Sequence, residues 1–96
     1  MTAYCIFEAD ITDDSWIKEY VARITPLYER HGGKCIARSL QPEKLEGERK
    51  SPSLLSIIEF PSREAALSWY RDPDFQPLLA MRQAGSTAHG FLIEGD

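Results

Sequence analysis

The sequence predicts an α+β fold of βαββαβ order, a four-stranded antiparallel sheet with its main helices on one face. Three observations predict it. Short stretches rich in β-branched and aromatic residues recur between stretches whose apolar residues fall at helical spacing. Glycines and prolines sit mostly at the joins. The 96 residues, 43% hydrophobic and 27% charged, suit one soluble domain spanning 1–96 with a thin core.

Ala3–Asp10 reads as the first strand, with Tyr4, Cys5, Ile6 and Phe7 favouring β structure. Thr12, Asp13 and Asp14 then supply an N-cap and acid for a first helical turn. Ile17, Tyr20, Val21, Ile24, Leu27 and Tyr28 follow at the spacing of an amphipathic helix. Pro26 lies inside that pattern and predicts a kink, because it cannot bond to the carbonyl of Ala22. Gly32 and Gly33 end the helix, Gly32 in the left-handed capping position.

Lys34–Ser39 is the second strand, and the polar residues 40–53 form a long connection. Leu54–Phe60 is the third and most apolar strand, stopped by Pro61. Ser62 caps a second helix with Ala66, Trp69 and Tyr70 on one side. Asp72-Pro73 reads as a cap and first helical position. A short third helix carries Phe75, Leu78, Leu79 and Arg82, with an irregular first turn expected at Pro77. Gly85 ends it, and Ala88–Glu94 is the last strand.

This order is the ferredoxin-like arrangement, with strand order 4-1-3-2. The first two strands are then not neighbours, so no Cys5–Cys35 bridge is expected. Helices cover one face only, yet both faces carry apolar residues. Leu55 and Ile57 oppose Leu54, Ile58 and Phe60 in the third strand. Tyr4 and Ile6 oppose Cys5 and Phe7 in the first, and Phe91 and Ile93 oppose Leu92 in the last. A second copy packed sheet to sheet is the simplest cover, which predicts a homodimer.

Net charge is −4 and the eleven Lys and Arg are scattered, so no surface for nucleic acid or an anionic membrane is expected. No apolar run approaches the roughly 20 residues of a membrane span, and no leader pattern opens the chain. A cytoplasmic protein is the expectation. His31 and His89 stand apart with no metal-ligand spacing, and there is no phosphate or dinucleotide loop. Neither a metal nor a bound cofactor is expected.

The stretches HGGKCIAR (31–38), LEG (45–47), IEFPS (58–62), WYRDPDFQ (69–76) and LIEG (92–95), with KEYV and Pro26 in the first helix, together resemble the domain of unknown function 1330 family over nearly the whole chain. The resemblance implies a dimeric α+β barrel, in which a ferredoxin-like protomer pairs with a second copy. Related branches include cofactor-independent monooxygenases of quinol-type aromatics, isomerases, lactone-forming enzymes and stress-response proteins. Many hold their ligand between sheet and helices. The chain departs from the family pattern at Pro77 and at Ser39-Leu40, beside the implied pocket.

The candidate chemistry follows from residue type and place. Arg38 comes after an apolar strand, on the face of Ile36. It reads as an anion clamp, or as the ion-pair partner of Glu59, Glu8 or a second subunit. Glu59, between Ile58 and Phe60, reads as a proton carrier or as a paired or solvated carboxylate. His31 reads as a helix cap or an acid–base group. Trp69 and Tyr70 read as core or pocket wall. The hydroxyls of Tyr4 and Tyr20 could orient a ligand. Arg82 reads as a clamp on Asp72 or Asp74, or as a second arginine in the pocket of Arg38. Cys5 and Cys35 read as small hydrophobes.

The expectation is a small dimeric enzyme without a cofactor, acting on a small aromatic or carboxylated metabolite. His31 and Glu59 would be catalytic, and Arg38, Tyr4, Trp69, Tyr70 and Arg82 would bind substrate. The alternative is a dimer that binds a small molecule or a protein without turnover.

Overall fold

A computed structural model describes residues 1–95. Its elements, in chain order, are β1 (Thr2–Ile11), α1 (Ile17–Arg30), β2 (Lys34–Ser39), β3 (Leu54–Phe60), α2 (Arg63–Tyr70), α3 (Gln76–Ala84) and β4 (Ser86–Gly95). The strands form one antiparallel sheet in the order β2-β3-β1-β4, so β3 separates β1 from β2. Cys5 and Cys35 are both free thiols. The fold is ferredoxin-like, βαββαβ with α3 added before the last strand.

Strand alternation sorts the residues by face. Ala3, Cys5, Phe7 and Ala9 of β1 are buried towards the helices. Ile58 and Phe60 lie beside them on β3, and Leu92 on β4. Trp69 of α2 closes this layer with no exposed surface. Its ring centroid lies 4.6 Å from that of Phe75, 5.4 Å from Phe60 and 5.9 Å from Phe7. α2 begins where Ser62 Oγ accepts a bond from the Ala65 N–H, the cap the sequence predicts.

Four local features differ from the sequence reading or refine it. The start of α1 has no side-chain cap. Asp13 instead accepts a bond from the Ser15 N–H, and the helix opens after Trp16. Trp16 turns inward, and its indole N–H donates to the Gly85 carbonyl at 3.3 Å. The same carbonyl accepts from the N–H groups of Thr12 and Asp13, which ties the β1–α1 corner to the end of α3. A Cβ at position 85 would collide with the Trp16 ring, so only glycine fits there. Pro77 falls in the first turn of α3, where its missing N–H has no helical partner to lose, so that turn accommodates it. Gly32 has φ +82° and ends α1 as expected, with the N–H groups of His31 and Gly33 both bonding to the Tyr28 carbonyl.

Most important is a bulge in β2. Cys35 pairs with Ile58, yet Ala37 pairs with Ile57, leaving Ile36 as the extra residue. The bulge resets the alternation, so Arg38 falls opposite Ser56 and on the helix-covered side with Cys35.

Truncating Trp69 to alanine would leave a large cavity in this layer. The expected loss is about 3–5 kcal/mol, much of the total for a domain of this size. Urea unfolding monitored by circular dichroism checks it. A loss below about 1 kcal/mol would mean the aromatic cluster is not what holds the helices down.

Candidate functional site

The space between sheet and helices contains two neighbouring cavities. One, of about 250 Å³, lies under α1 and is bordered by Trp16, Tyr20, Arg38, Ser56 and Ile58. The other, of about 300 Å³, opens beside β4 and is bordered by Cys5, Ala66, Tyr70, His89 and Leu92. Phe7, Arg82 and Ala88 border both. These volumes suit small ligands.

Arg82 is the unusual residue in this region. It is 7% exposed, projecting from α3 into the apolar layer. Its guanidinium carbon sits 4.7 Å from the centroid of the Phe7 ring and 5.9 Å from that of Phe75, a cation–π arrangement. Its Nη1 donates to the Tyr20 hydroxyl at 3.0 Å. Its Nε is buried with no hydrogen-bond partner, and among the described residues no carboxylate pairs with it. A buried cation normally has such a partner, because uncompensated desolvation is costly.

The sequence places each member of this group. Gly90 of β4 lies opposite Phe7, and a Cβ there would come within 2.7 Å of the Phe7 ring. The missing side chain gives Phe7 room to lie against β4 and present itself to Arg82. Tyr20 is fixed on α1 by Trp16, edge to face at 5.2 Å. Burial raises the Tyr20 pKa, while the positive charges of Arg82 and Arg38 oppose that rise. Cys5, in the β4-side cavity, has its thiol pushed up to about 11 by burial, so it is no nucleophile at neutral pH.

Of the substrate-binding residues expected from sequence, Arg38, Arg82 and Tyr70 border these cavities, as do Tyr20, the hydroxyl singled out as able to orient a ligand, and Cys5. Arg38 makes no ion pair among the described residues, and Glu8 is held by Arg49 at 2.9 Å. Arg82 clamps neither Asp72 nor Asp74, since Arg30 takes both, at 2.6 and 3.2 Å. Trp69 lies in the core. Glu59 and Tyr4 are corrected in place. They face each other across β3 and β1 on the side away from the helices, because their positions alternate with those of the buried Ile58 and Cys5. His31 is the C-cap of α1, the first of its two sequence readings. Its Nε2 lies 2.8 Å from Asp72 Oδ2, where it joins the end of α1 to the α2–α3 turn. Tyr20 was legible as a hydroxyl that could orient a ligand, but not as the partner of Arg82. Phe7 and Gly90 carried no signal beyond strand and turn propensity.

The geometry defines a ferredoxin-like α+β protein with a ligand-sized interior space beside an unpaired arginine. The chain belongs to the family described as Domain of unknown function (DUF1330), whose model matches residues 2–96. No curated protein matches the sequence. Among solved structures, a protein of unknown function from Rhodopseudomonas palustris is 19% identical with a TM-score of 0.82, over 98% of this chain and 82% of its own. SnoaB, a cofactor-independent oxygenase from Streptomyces nogalater, is 18% identical with a TM-score of 0.72, over 99% of this chain and 93% of its own. A dimeric ferredoxin-like protein of unknown function from Jannaschia sp. CCS1 is 13% identical with a TM-score of 0.74, over 99% of this chain and 100% of its own. At these identities the likeness is one of fold. No described helix is long and apolar enough to cross a membrane. Among the described residues no group of His, Cys, Asp and Glu is placed to hold a metal.

The His31–Asp72–Arg30 cluster yields a pH prediction. The Asp72 carboxyl is held well below the usual carboxylate range by His31, then by the Asp74 N–H and Arg30. A depressed folded-state pKa gives stability that is present above the unfolded value of about 4 and is lost as pH falls through the folded value. Asp72→Asn is therefore expected to lower the urea midpoint at pH 7. It should also shrink the difference between pH 7 and pH 3. Unchanged acid sensitivity in the variant would contradict the assignment.

Proposed function

We propose that this chain binds a small, partly apolar metabolite bearing an oxyanion in the space around Arg82, as one subunit of a homodimer. The reaction type that fits is cofactor-independent oxygenation of a small aromatic or carboxylated compound. The observation that carries the binding reading is the buried, unpaired guanidinium of Arg82 on the border of both cavities. An anionic ligand would supply the missing counter-charge, and charge-assisted bonds to guanidinium are strong in a dry site. Tyr70 and Leu92 on the β4 side offer an apolar wall for the rest of the molecule. The oxygenase reading draws on the fold shared with the Streptomyces nogalater enzyme.

The homodimer draws on the uncovered face of the sheet. A row of Ala37, Ile57, Ile6 and Phe91 crosses it from β2 to β4. Phe91 is 59% exposed and Ile93 is 49% exposed. Lys34 and Glu59 lie at one end of this apolar centre, and Glu8 and His89 at the other. An apolar centre within a polar rim is the anatomy of a protein interface, and the Jannaschia neighbour is dimeric. A second reading, binding without turnover, is favoured by the position of His31 and Glu59. Neither proton carrier expected from the sequence borders the two cavities beside Arg82, and His31 lies instead on a separate open cleft with Asp72.

Benzoate is the test ligand, with benzamide as its uncharged control. Benzoate is expected to raise the melting temperature, and benzamide is not. Arg82→Met removes a charge-assisted bond worth about 1.5–3 kcal/mol. It should therefore weaken benzoate binding roughly ten- to hundred-fold. The fold should be unaffected or firmer, since replacing a buried charge by an apolar side chain is often neutral or stabilising. Equal benzoate affinity in the variant would contradict the reading. Protein-dependent oxygen uptake with a hydroquinone separates enzyme from binder.

The interface is tested independently. Phe91→Asp is expected to convert the dimer to a monomer by light scattering. A monomeric wild type at micromolar concentration would contradict it.

A further inference from the structure

We propose that Tyr20 and Arg82 form an oxyanion seat, in which the Tyr20 hydroxyl and the Arg82 guanidinium both donate to one phenolate, enolate or carboxylate group of the ligand. The inference rests on the ligand site proposed above and adds to it the identity of the second donor and the ionisation state it selects.

The hydrogen-bond inventory of the pair leads to it. A guanidinium only donates, and a phenol carries one hydrogen and two acceptor lone pairs. The bond of 3.0 Å between Arg82 Nη1 and Tyr20 Oη therefore runs from arginine to tyrosine. The phenolic hydrogen cannot point back at Arg82, and among the described residues it has no acceptor. The Arg82 Nε–H is likewise buried and unspent. Both side chains border the cavity under α1. Burial keeps the Tyr20 phenol protonated at neutral pH, so its hydrogen is there to donate.

The surroundings are fixed and poor in acceptors. Trp16 holds the Tyr20 ring edge to face, and Phe7 and Phe75 flank the guanidinium. Arg38 borders the same cavity and contributes a second positive charge at Tyr20. Among the described residues the one acid along this border, Glu8, alternates with the inward Phe7 and Ala9, so its carboxylate turns to the other face of the sheet, where it pairs with Arg49. A neutral hydroxyl on the ligand would bring a hydrogen into this donor-rich site, whereas an ionised oxygen accepts both bonds and balances the charge. Donors prearranged around an anionic oxygen in a dry cavity stabilise it far more than water-exposed donors do. The seat therefore selects the ionised form of a weakly acidic ligand.

4-Nitrophenol tests this, because its phenolate absorbs separately from the neutral phenol. Quenching of tryptophan fluorescence reports binding in either form. At a pH where the free probe is mostly neutral, binding to the wild type is expected to raise its phenolate-to-phenol ratio about tenfold, equal to about 1.4 kcal/mol. Tyr20→Phe should keep the quenching and lose most of that enrichment. Arg82→Lys, which retains the charge and lacks the planar array of guanidinium donors, should also lose part of it. Full enrichment in Tyr20→Phe would overturn the inference and leave the ligand site standing. Absence of quenching in the wild type at millimolar probe would overturn the seat and the ligand site together.

Discussion

A guanidinium enclosed in an apolar layer costs several kcal/mol unless something compensates it, and the interior of this chain is arranged around Arg82. Phe7 gives the cation an aromatic face, and Gly90 gives Phe7 the room to do so. Tyr20 takes one of its hydrogens, and Trp16 steadies Tyr20. These contacts come from β1, β4, α1 and α3 together. What they omit is a negative charge. Such an omission in a filled core would be hard to tolerate, yet here it borders two cavities. Compensation by a ligand is the economical physical reading.

The sheet divides the molecule's work between its faces. The chain is a slab with Cα extents of 33 × 32 × 16 Å, thin because helices cover one side only. The covered face holds the aromatic core and the cavities. The other holds Ile6, Ile57, Phe91 and Ile93, too apolar for a surface left in water. Because successive side chains of a strand point to opposite faces, Cys5 and Phe7 can serve the interior while Tyr4 and Ile6 serve the proposed dimer. A thin core and an unpaired charge both weaken a lone protomer, and burial of the second face against a copy would offset that.

The fold was largely legible because it depends on periodicity and punctuation. The strands, the helices, the Ser62 cap and the Gly32 turn all follow from local rules. Boundaries shifted where tertiary contacts outweighed local preference, as when the Gly85 carbonyl, and not an aspartate cap, organised the start of α1. The site was less legible because it depends on which face a strand residue occupies. The bulge at Ile36 resets β2 and carries Arg38 to the cavity side, and no residue type there announces a bulge. Glu59 and Tyr4 looked chemically apt but fall on the other face by alternation. His31 found Asp72, far away in sequence, and became a joint between α1 and the α2–α3 turn. Arg82 was visible as one option among several. Its lack of a carboxylate partner is a fact of three-dimensional arrangement.

The state of the Arg82 Nε–H can be observed directly by proton–nitrogen correlation NMR of the arginine side chains, assigned with an Arg82→Lys sample. The buried, unspent donor is expected to give a slowly exchanging Nε–H resonance in the free protein. That resonance should shift, with saturation, as benzoate is added and charges the space beside the guanidinium. An Arg82 resonance that stays unmoved while benzoate binds would contradict the claim that this cation awaits an anionic ligand.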